Sequence, residues 1–240
     1  MNNQEVCIVI PAMNEEDTIG KIVSRACSLN YKVIVVDDAS IDNTALVAKN
    51  AGAQVLSPIK NLGAWKATQT GLRLADKLGY KIVVTMDADG QHNVEDIAIL
   101  VNRYNQGADV VIGNCTERGS KGRHIAWQFF KHINRLPVSD ITSGFRLYNE
   151  RALKCLTSRQ ATMFEYQCIG VLLMLRNMNL LINEVSVAMN DRDNGSSRIF
   201  HSWFAVGYYL LYSGLLSVTK AFPTKKERYF KRLTGLNNFD

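Results

Sequence analysis

Short runs of Val and Ile alternate along the first half of the chain with longer stretches whose apolar residues recur every three or four positions. The runs at 5–11, 32–38, 53–57, 81–86 and 108–113 predict strands, and the periodic stretches at 17–29, 42–52, 63–79 and 94–107 predict helices. Asp17 stands where the first helix would take an N-cap, and Gly52 and Gly79 stand where helices commonly stop. Most of these runs have a continuous Val/Ile centre and do not alternate with polar residues. Such strands are buried on both faces, which predicts an α/β fold: a mostly parallel, Rossmann-like sheet with helices on both sides.

The pattern changes after residue 114. A polar loop, "NCTERGSKGR", leads to a helical stretch at 124–136, followed by a strand over 141–149, a buried helix over 161–177 and a strand over 180–189. No internal repeat or low-complexity linker interrupts this order. The expectation is one main domain over 1–198 with a C-terminal helical and basic extension over 199–240.

Composition narrows the class. With 47% apolar and 21% charged residues the chain is ordinary globular protein, which excludes extended disorder. Its five cysteines are odd in number and show no C-x-x-C pair, which argues against a disulfide framework or zinc ribbon and for a reducing compartment. The amino terminus has neither a basic segment nor a long apolar one, so no secretory leader is expected. The net charge of +6 is concentrated late: residues 220–232, "KAFPTKKERYFKR", carry six basic residues against one acidic. Trp203–Thr219 just before it has no charge, but two glycines, two serines and three tyrosines make it a poor membrane span. A helix lying in a membrane interface, or one packed in the core or on a dimer partner, fits better, and the basic tail adds attraction to anionic lipid. Nucleic-acid binding would rest on that tail alone.

Polar clusters follow the predicted strands: "PAMNEE" after the first, "DDASIDNT" after the second, "NLGAWKA" after the third and "DADGQH" after the fourth. Ligands of parallel α/β sheets bind at the carboxyl ends of strands, so four clusters in series outweigh the bland reading of each as a turn or helix cap. No G-x-G-x-x-G follows the first strand, against a dinucleotide oxidoreductase. Together the clusters resemble glycosyltransferase family two, whose nucleotide-sugar-binding domain has the GT-A fold and whose pattern reads P-x-x-N-E, D-D-x-S-x-D-x-T, N-x-G and D-x-D. Here these are Pro11, Asn14 and Glu15; Asp37, Asp38, Ser40, Asp42 and Thr44; Asn61 and Gly63; Asp87 and Asp89. The "DADGQH" form, "DITSGFR" at 140–146 and "DRDNGSSRI" at 191–199 are similar to the dolichyl- and polyprenyl-phosphate sugar transferase branch.

The resemblance implies an inverting, metal-dependent enzyme acting on a GDP- or UDP-sugar and a polyprenyl phosphate, peripheral at the cytoplasmic membrane face. A leaving nucleoside diphosphate gathers negative charge, and Mg²⁺ or Mn²⁺, hard cations that take oxygen ligands, would offset it. The resemblance assigns the metal to Asp87, Asp89 and Gln91, and the donor pocket to Pro11, Met13, Asn14, Glu15, Asp38, Asn61, Gly63 and Ala88. Arg192, Ser197 and Arg198 would meet the diphosphate, arginine standing where the branch has lysine. Arg118, Lys121 and Arg123 would meet an acceptor phosphate. Asp140 matches the family's aspartate, as base or acceptor positioner, with Glu165 a competitor in a buried helix. Asp42 reads as a helix cap and Glu184 as structural, while His92 adjoins the metal loop. The usual N-x-G-Lys-Gly is here "NLGAW", which removes a lysine and a glycine. Two other readings stay open: the same fold acting on a sugar hydroxyl of a lipid-linked saccharide, and a nucleotide-sugar-binding subunit without turnover, alone or beside a membrane partner or second copy.

Overall fold

The computed structural model describes residues 3–114, 121–190 and 203–219. Seven strands form one sheet: β1 (Val6–Ala12), β2 (Lys32–Asp37), β3 (Gln54–Leu56), β4 (Ile82–Thr85), β5 (Val110–Asn114), β6 (Arg146–Tyr148) and β7 (Ile182–Ser186). Their spatial order is β3-β2-β1-β4-β6-β5-β7. All neighbours pair in parallel except β6, which runs antiparallel between β4 and β5.

Successive side chains of a strand point to opposite faces, and the core divides accordingly. Cys7 and Val9 join Val83, Val110 and Ile112 on one face, under Leu72 and Ala75 of α3 (Ala64–Lys77), Leu153 of α6 (Glu150–Leu156) and Leu172 of α7 (Ile169–Asn177). Ile8 and Ile10 join Val84, Val111 and Leu147 on the other, under Ile19 and Val23 of α1 (Glu16–Ser28), Ala48 of α2 (Thr44–Asn50) and Ile97 and Leu100 of α4 (Ile97–Asn105). The five strands and four helices expected in the first half are all present. Gly52 and Gly79 follow the ends of α2 and α3 at φ of 108° and 85°, as helix-stopping glycines do.

Local differences have identifiable causes. The cap of α1 is Glu15, not Asp17, because the Glu15 carbonyl already accepts the Thr18 and Ile19 N–H groups. The strand expected over 141–149 shrinks to β6, since its first half turns around the Asp140 carboxylate. The helix expected over 161–177 starts at Ile169 after a 3-10 turn at Ala161–Met163. Partners outside the segment draw its backbone away from a helix: Trp65 Nε1 donates to the Ala161 carbonyl, Arg146 Nη1 to the Gln167 carbonyl, and the Glu165 N–H to Tyr212 Oη. Glu165 is therefore exposed in a loop, which corrects its expected place in a buried helix. α6 was not expected; Asn149 caps it by accepting the Ala152 N–H.

α8 (Trp203–Thr219) lies against α7 and against α5 (Lys121–Asn134). Tyr209, Ser213 and Ser217 are buried there, and Asn134 Nδ2 donates to Ser217 Oγ at 2.8 Å. Leu211, Leu215 and Val218 on its outer side, and Phe129 and Ile133 of α5, are more than half exposed. Among the described residues no helix is long and apolar enough to cross a membrane.

Candidate functional site

The loops that follow β1, β2 and β4 open at one edge of the sheet and are clipped to one another by hydrogen bonds. Asn14, at φ 51°, receives its neighbour loop twice: its N–H donates to Ser40 Oγ and its Oδ1 accepts the Ile41 N–H, each at 2.9 Å. The Glu15 N–H donates to Thr44 Oγ1, whose own hydroxyl and N–H donate to Asp42. The N-cap of α2 is Asn43, not Asp42 as expected from the sequence; Asp42 instead holds Thr44, the first residue of the helix, from one place further out. Asp38 is buried, and its two oxygens accept the Leu62 N–H at 2.6 Å and the Gly63 N–H at 2.9 Å. It holds the Asn61–Gly63 turn beside β1, where Asn61 Oδ1 also accepts the Gly63 N–H and Asn61 Nδ2 meets Met13 Sδ. Trp65, standing where the family has a glycine, is the anchor of this turn's other end: it is 1% exposed and bonded to Ala161.

The loop after β4 carries the carboxylates. Thr18 Oγ1 donates to the Ala88 carbonyl at 2.7 Å, Gly90 turns the chain at φ 75°, and Asp89 Oδ1 accepts the Gln91 N–H. Asp89 and Gln91 are 7% and 5% exposed. Buried Gln91 Nε2 has no hydrogen-bond partner among the described residues. His92 is withdrawn from the loop and stacked on Phe145, with ring centroids 4.8 Å apart. The Asn190 N–H donates to the Gln91 carbonyl, so the chain after β7 reaches this loop.

The 140–146 segment crosses beneath Asp87. A Cβ added to Gly144 would lie 2.6 Å from both Asp87 carboxylate oxygens, so only glycine permits this approach. Asp140 Oδ1 accepts three hydrogen bonds, from the Thr142 N–H and hydroxyl and the Ser143 N–H. Burial raises its pKa above the ordinary carboxylate value, against those bonds and the pull of Arg146. Glu184 accepts the Ser139 and Asp140 N–H groups and so is structural, as expected. Arg146 is fully buried and donates to the carbonyls of Ile141, Ser143 and Gln167, fixing the whole turn from below. The Cys168 thiol, pushed up by burial, also feels the charges of Arg146, Asp140 and Asp87, so these groups share one neighbourhood.

The structure brings Asp87, Asp89, Gln91 and the Asp140 turn together, with Ala88 in the same loop as the carboxylates, Pro11 near the end of β1 and Met13 and Glu15 on the loop after it. Arg118, Arg192, Ser197 and Arg198 lie outside the described residues, as do the side chains of Lys121 and Arg123 in α5. Sequence reasoning missed Gly144, Arg146 and Thr18. The first two lie in the quoted "DITSGFR", but only the fold shows what they support. Among the described residues no three His, Cys, Asp or Glu side chains converge as a cage for a metal ion. Two carboxylates and an amide suit instead a hard cation that takes its remaining oxygens from substrate phosphates.

Three comparisons bear on this site. The family model described as "Glycosyl transferase family 2" matches residues 7–157. An uncharacterized protein of Methanocaldococcus jannaschii is 39% identical over 116 residues, which is 48% of this chain and 48% of that protein, so the match spans about half that relative's length. A UDP-N-acetylglucosamine–dolichyl-phosphate N-acetylglucosaminyltransferase of Methanococcus voltae is 29% identical, over 78% of this chain and 86% of that one. A polyprenol monophosphomannose synthase of Mycolicibacterium smegmatis is 27% identical, over 82% and 81%. Among solved structures, glucosyl-3-phosphoglycerate synthase from Mycobacterium tuberculosis, in complex with Mn²⁺, UDP and phosphoglyceric acid, superposes with a TM-score of 0.68 at 20% identity. That match covers 92% of this chain and 80% of that one, and establishes the GT-A-like fold.

Proposed function

The chain belongs to glycosyltransferase family 2, and from that premise we propose that it moves a sugar from a nucleotide-diphospho-sugar to a polyprenyl phosphate, with inversion at the anomeric carbon. The observation that carries the reading is the meeting of Asp87, Asp89 and Gln91 with the Asp140 turn at the carboxyl edge of the sheet. The relatives from M. voltae and M. smegmatis, named for dolichyl-phosphate and polyprenol acceptors, support the acceptor class. The Mn²⁺ and UDP in the M. tuberculosis structure support the donor class and a divalent cation.

Asp87, Asp89 and Gln91 would hold Mg²⁺ or Mn²⁺, which when bound supplies positive charge against the leaving diphosphate. The turn pinned by Asp38, with Pro11, Met13 and Glu15 beside it, shapes the nucleotide side. Arg192, Ser197 and Arg198 serve the diphosphate, and Arg118 and Arg123 the acceptor phosphate. An acceptor phosphate is already an anion: its oxygen attacks the anomeric carbon and no proton has to be removed. Asp140 then orients the acceptor. A hydroxyl acceptor is the second reading, favoured by the raised pKa of Asp140, which suits a general base. Residues 1–198 form the catalytic unit. The extension over 199–240 seats it on the cytoplasmic face of the membrane through the exposed side of α8 and the basic tail.

Calorimetry with GDP, UDP and dTDP, each with and without Mn²⁺, tests the donor half. Binding of one nucleotide should depend on the cation, and Asp89→Ala should remove that dependence and all turnover while the circular dichroism spectrum stays unchanged. Turnover by the variant at saturating donor would overturn the metal assignment.

A further inference from the structure

Asn114 ends β5 at the same sheet edge as the site. β5 pairs with β6 in the register Val110↔Tyr148, Val111↔Leu147, Ile112↔Arg146, and β4 pairs with it as Val83↔Tyr148, Val84↔Leu147, Thr85↔Arg146. The Gly113 N–H donates to the Phe145 carbonyl at 2.9 Å, so the β5–β6 ladder continues past the last assigned pair. Carried two positions on, both registers converge on Gly144, with Asp87 on one side and Asn114 on the other. On the far side Asn114 pairs with Ser186 of β7.

Directly opposed residues of neighbouring strands share a face. Val83, Val110 and Ile112 pack into the core under α3, α6 and α7, and alternation puts Asp87, Gly144 and Asn114 on that same face. Two strand spacings separate Asp87 and Asn114, about 10 Å between backbones. The residue between them has no side chain, and the Asp87 carboxylate occupies the space over Gly144.

On the other side Asn114 is 9% exposed, and its Oδ1 is buried with no hydrogen-bond partner among the described residues. Its backbone carbonyl is used by the Val187 N–H, but its side-chain oxygen is not. A buried carbonyl oxygen without a donor is costly, and a ligand that supplies one removes the penalty. An amide oxygen only accepts, so an ionised phosphate brings it no donor, whereas a hydroxyl of a sugar ring does.

We propose that Asn114 is a specificity-determining residue whose Oδ1 accepts a hydroxyl of the sugar being transferred; this rests on the reading of the chain as a nucleotide-sugar transferase. The sugar then sits beside Asn114, and the nucleotide lies toward β1 and β2.

The test separates the sugar from its nucleotide. Wild type, Asn114→Ala and Asn114→Leu are titrated calorimetrically, with Mn²⁺, against UDP-glucose, UDP-N-acetylglucosamine and GDP-mannose and against UDP and GDP. For the donor that wild type prefers, both variants should bind the nucleotide sugar about tenfold more weakly, the scale of one lost hydrogen bond, and the nucleoside diphosphate unchanged. The leucine variant keeps a side chain of similar shape without the oxygen and carries the test if the alanine variant does not fold. A parallel loss for sugar and nucleotide would mean a cation-binding or structural role and overturns the proposal, as does no loss for either. Failure of wild type itself to bind any nucleotide sugar would refute the transferase reading and this inference with it.

Discussion

Gly144 sets how closely the 140–146 segment can pass beneath Asp87. A methyl group there would sit 2.6 Å from two carboxylate oxygens, a distance at which the backbone or Asp87 must move. Gly144→Ala should therefore cost about 1–3 kcal/mol of stability by overpacking, read by urea denaturation, and weaken Mn²⁺-dependent nucleotide binding at least tenfold; unchanged binding would show that Asp87 is not held by this contact. Asp140 gives a prediction in pH. Burial raises its folded-state pKa above the unfolded one, so its contribution favours folding most below the ordinary carboxylate range and is lost as pH rises through the raised value. Asp140→Asn, which keeps an oxygen for the Thr142 and Ser143 bonds, should flatten that part of the stability profile and abolish or sharply reduce turnover. An unaltered profile would count against the burial argument. The residues themselves were legible, because carboxylates and amides in series after strands have few structural uses. Their partnerships were not: nothing local in "DITSGFR" says which carboxylate its glycine must clear.

At the scale of elements, α3 is fastened along one side. Trp65 bonds the Ala161 carbonyl, Gln69 the Leu156 and Ser158 carbonyls, and Arg73 the Thr157 carbonyl and Thr162 hydroxyl. Lys154 meets Asp76 at the far end. The departure from the family at Trp65 therefore has a structural use: it ties the turn held by Asp38 to the 3-10 turn before α7. Trp65→Phe should lose about 1 kcal/mol for the missing hydrogen bond, and Trp65→Ala about 3–5 kcal/mol for the emptied volume, both measured by denaturant midpoints. No loss for Trp65→Phe would mean the indole N–H contributes nothing. The same contacts explain why the start of α7 was misread. The sequence from 161 onward is apolar enough for a helix, but distant side chains claim its carbonyls and amides first. Strands β1, β2, β4 and β5 were legible because a strand buried on both faces is a run of Val and Ile, and β3, at the sheet edge and half-buried, because Val55 and Leu56 stand between two helical stretches. β6 was overextended because its first residues are turn, organised by one carboxylate.

For the whole molecule, the unsettled surface is the one made by α5 and α8. Phe129, Ile133, Leu211, Leu215 and Val218 are exposed together, and the basic segment follows α8 in the chain. Composition alone left a core helix and an interfacial helix as alternatives; α8 has a packed side and an exposed side. Leu211→Glu with Leu215→Glu, or charge reversal at Lys225, Lys226 and Arg228, should release the protein from vesicles containing anionic lipid in a sedimentation assay. Undiminished sedimentation would argue that this face meets protein instead. The strand order carries a different consequence, for the time at which the molecule becomes active. β6 follows β5 in the chain yet lies between β4 and β5, so it must close two ladders at once in a slot left open for it. The parallel half, β3-β2-β1-β4, can pair from contiguous sequence, whereas the long-range closure around β6 comes later, as non-local pairings do. A growing chain on the ribosome would thus carry its nucleotide loops early but stay inert until residues 140–148 have emerged and slotted home.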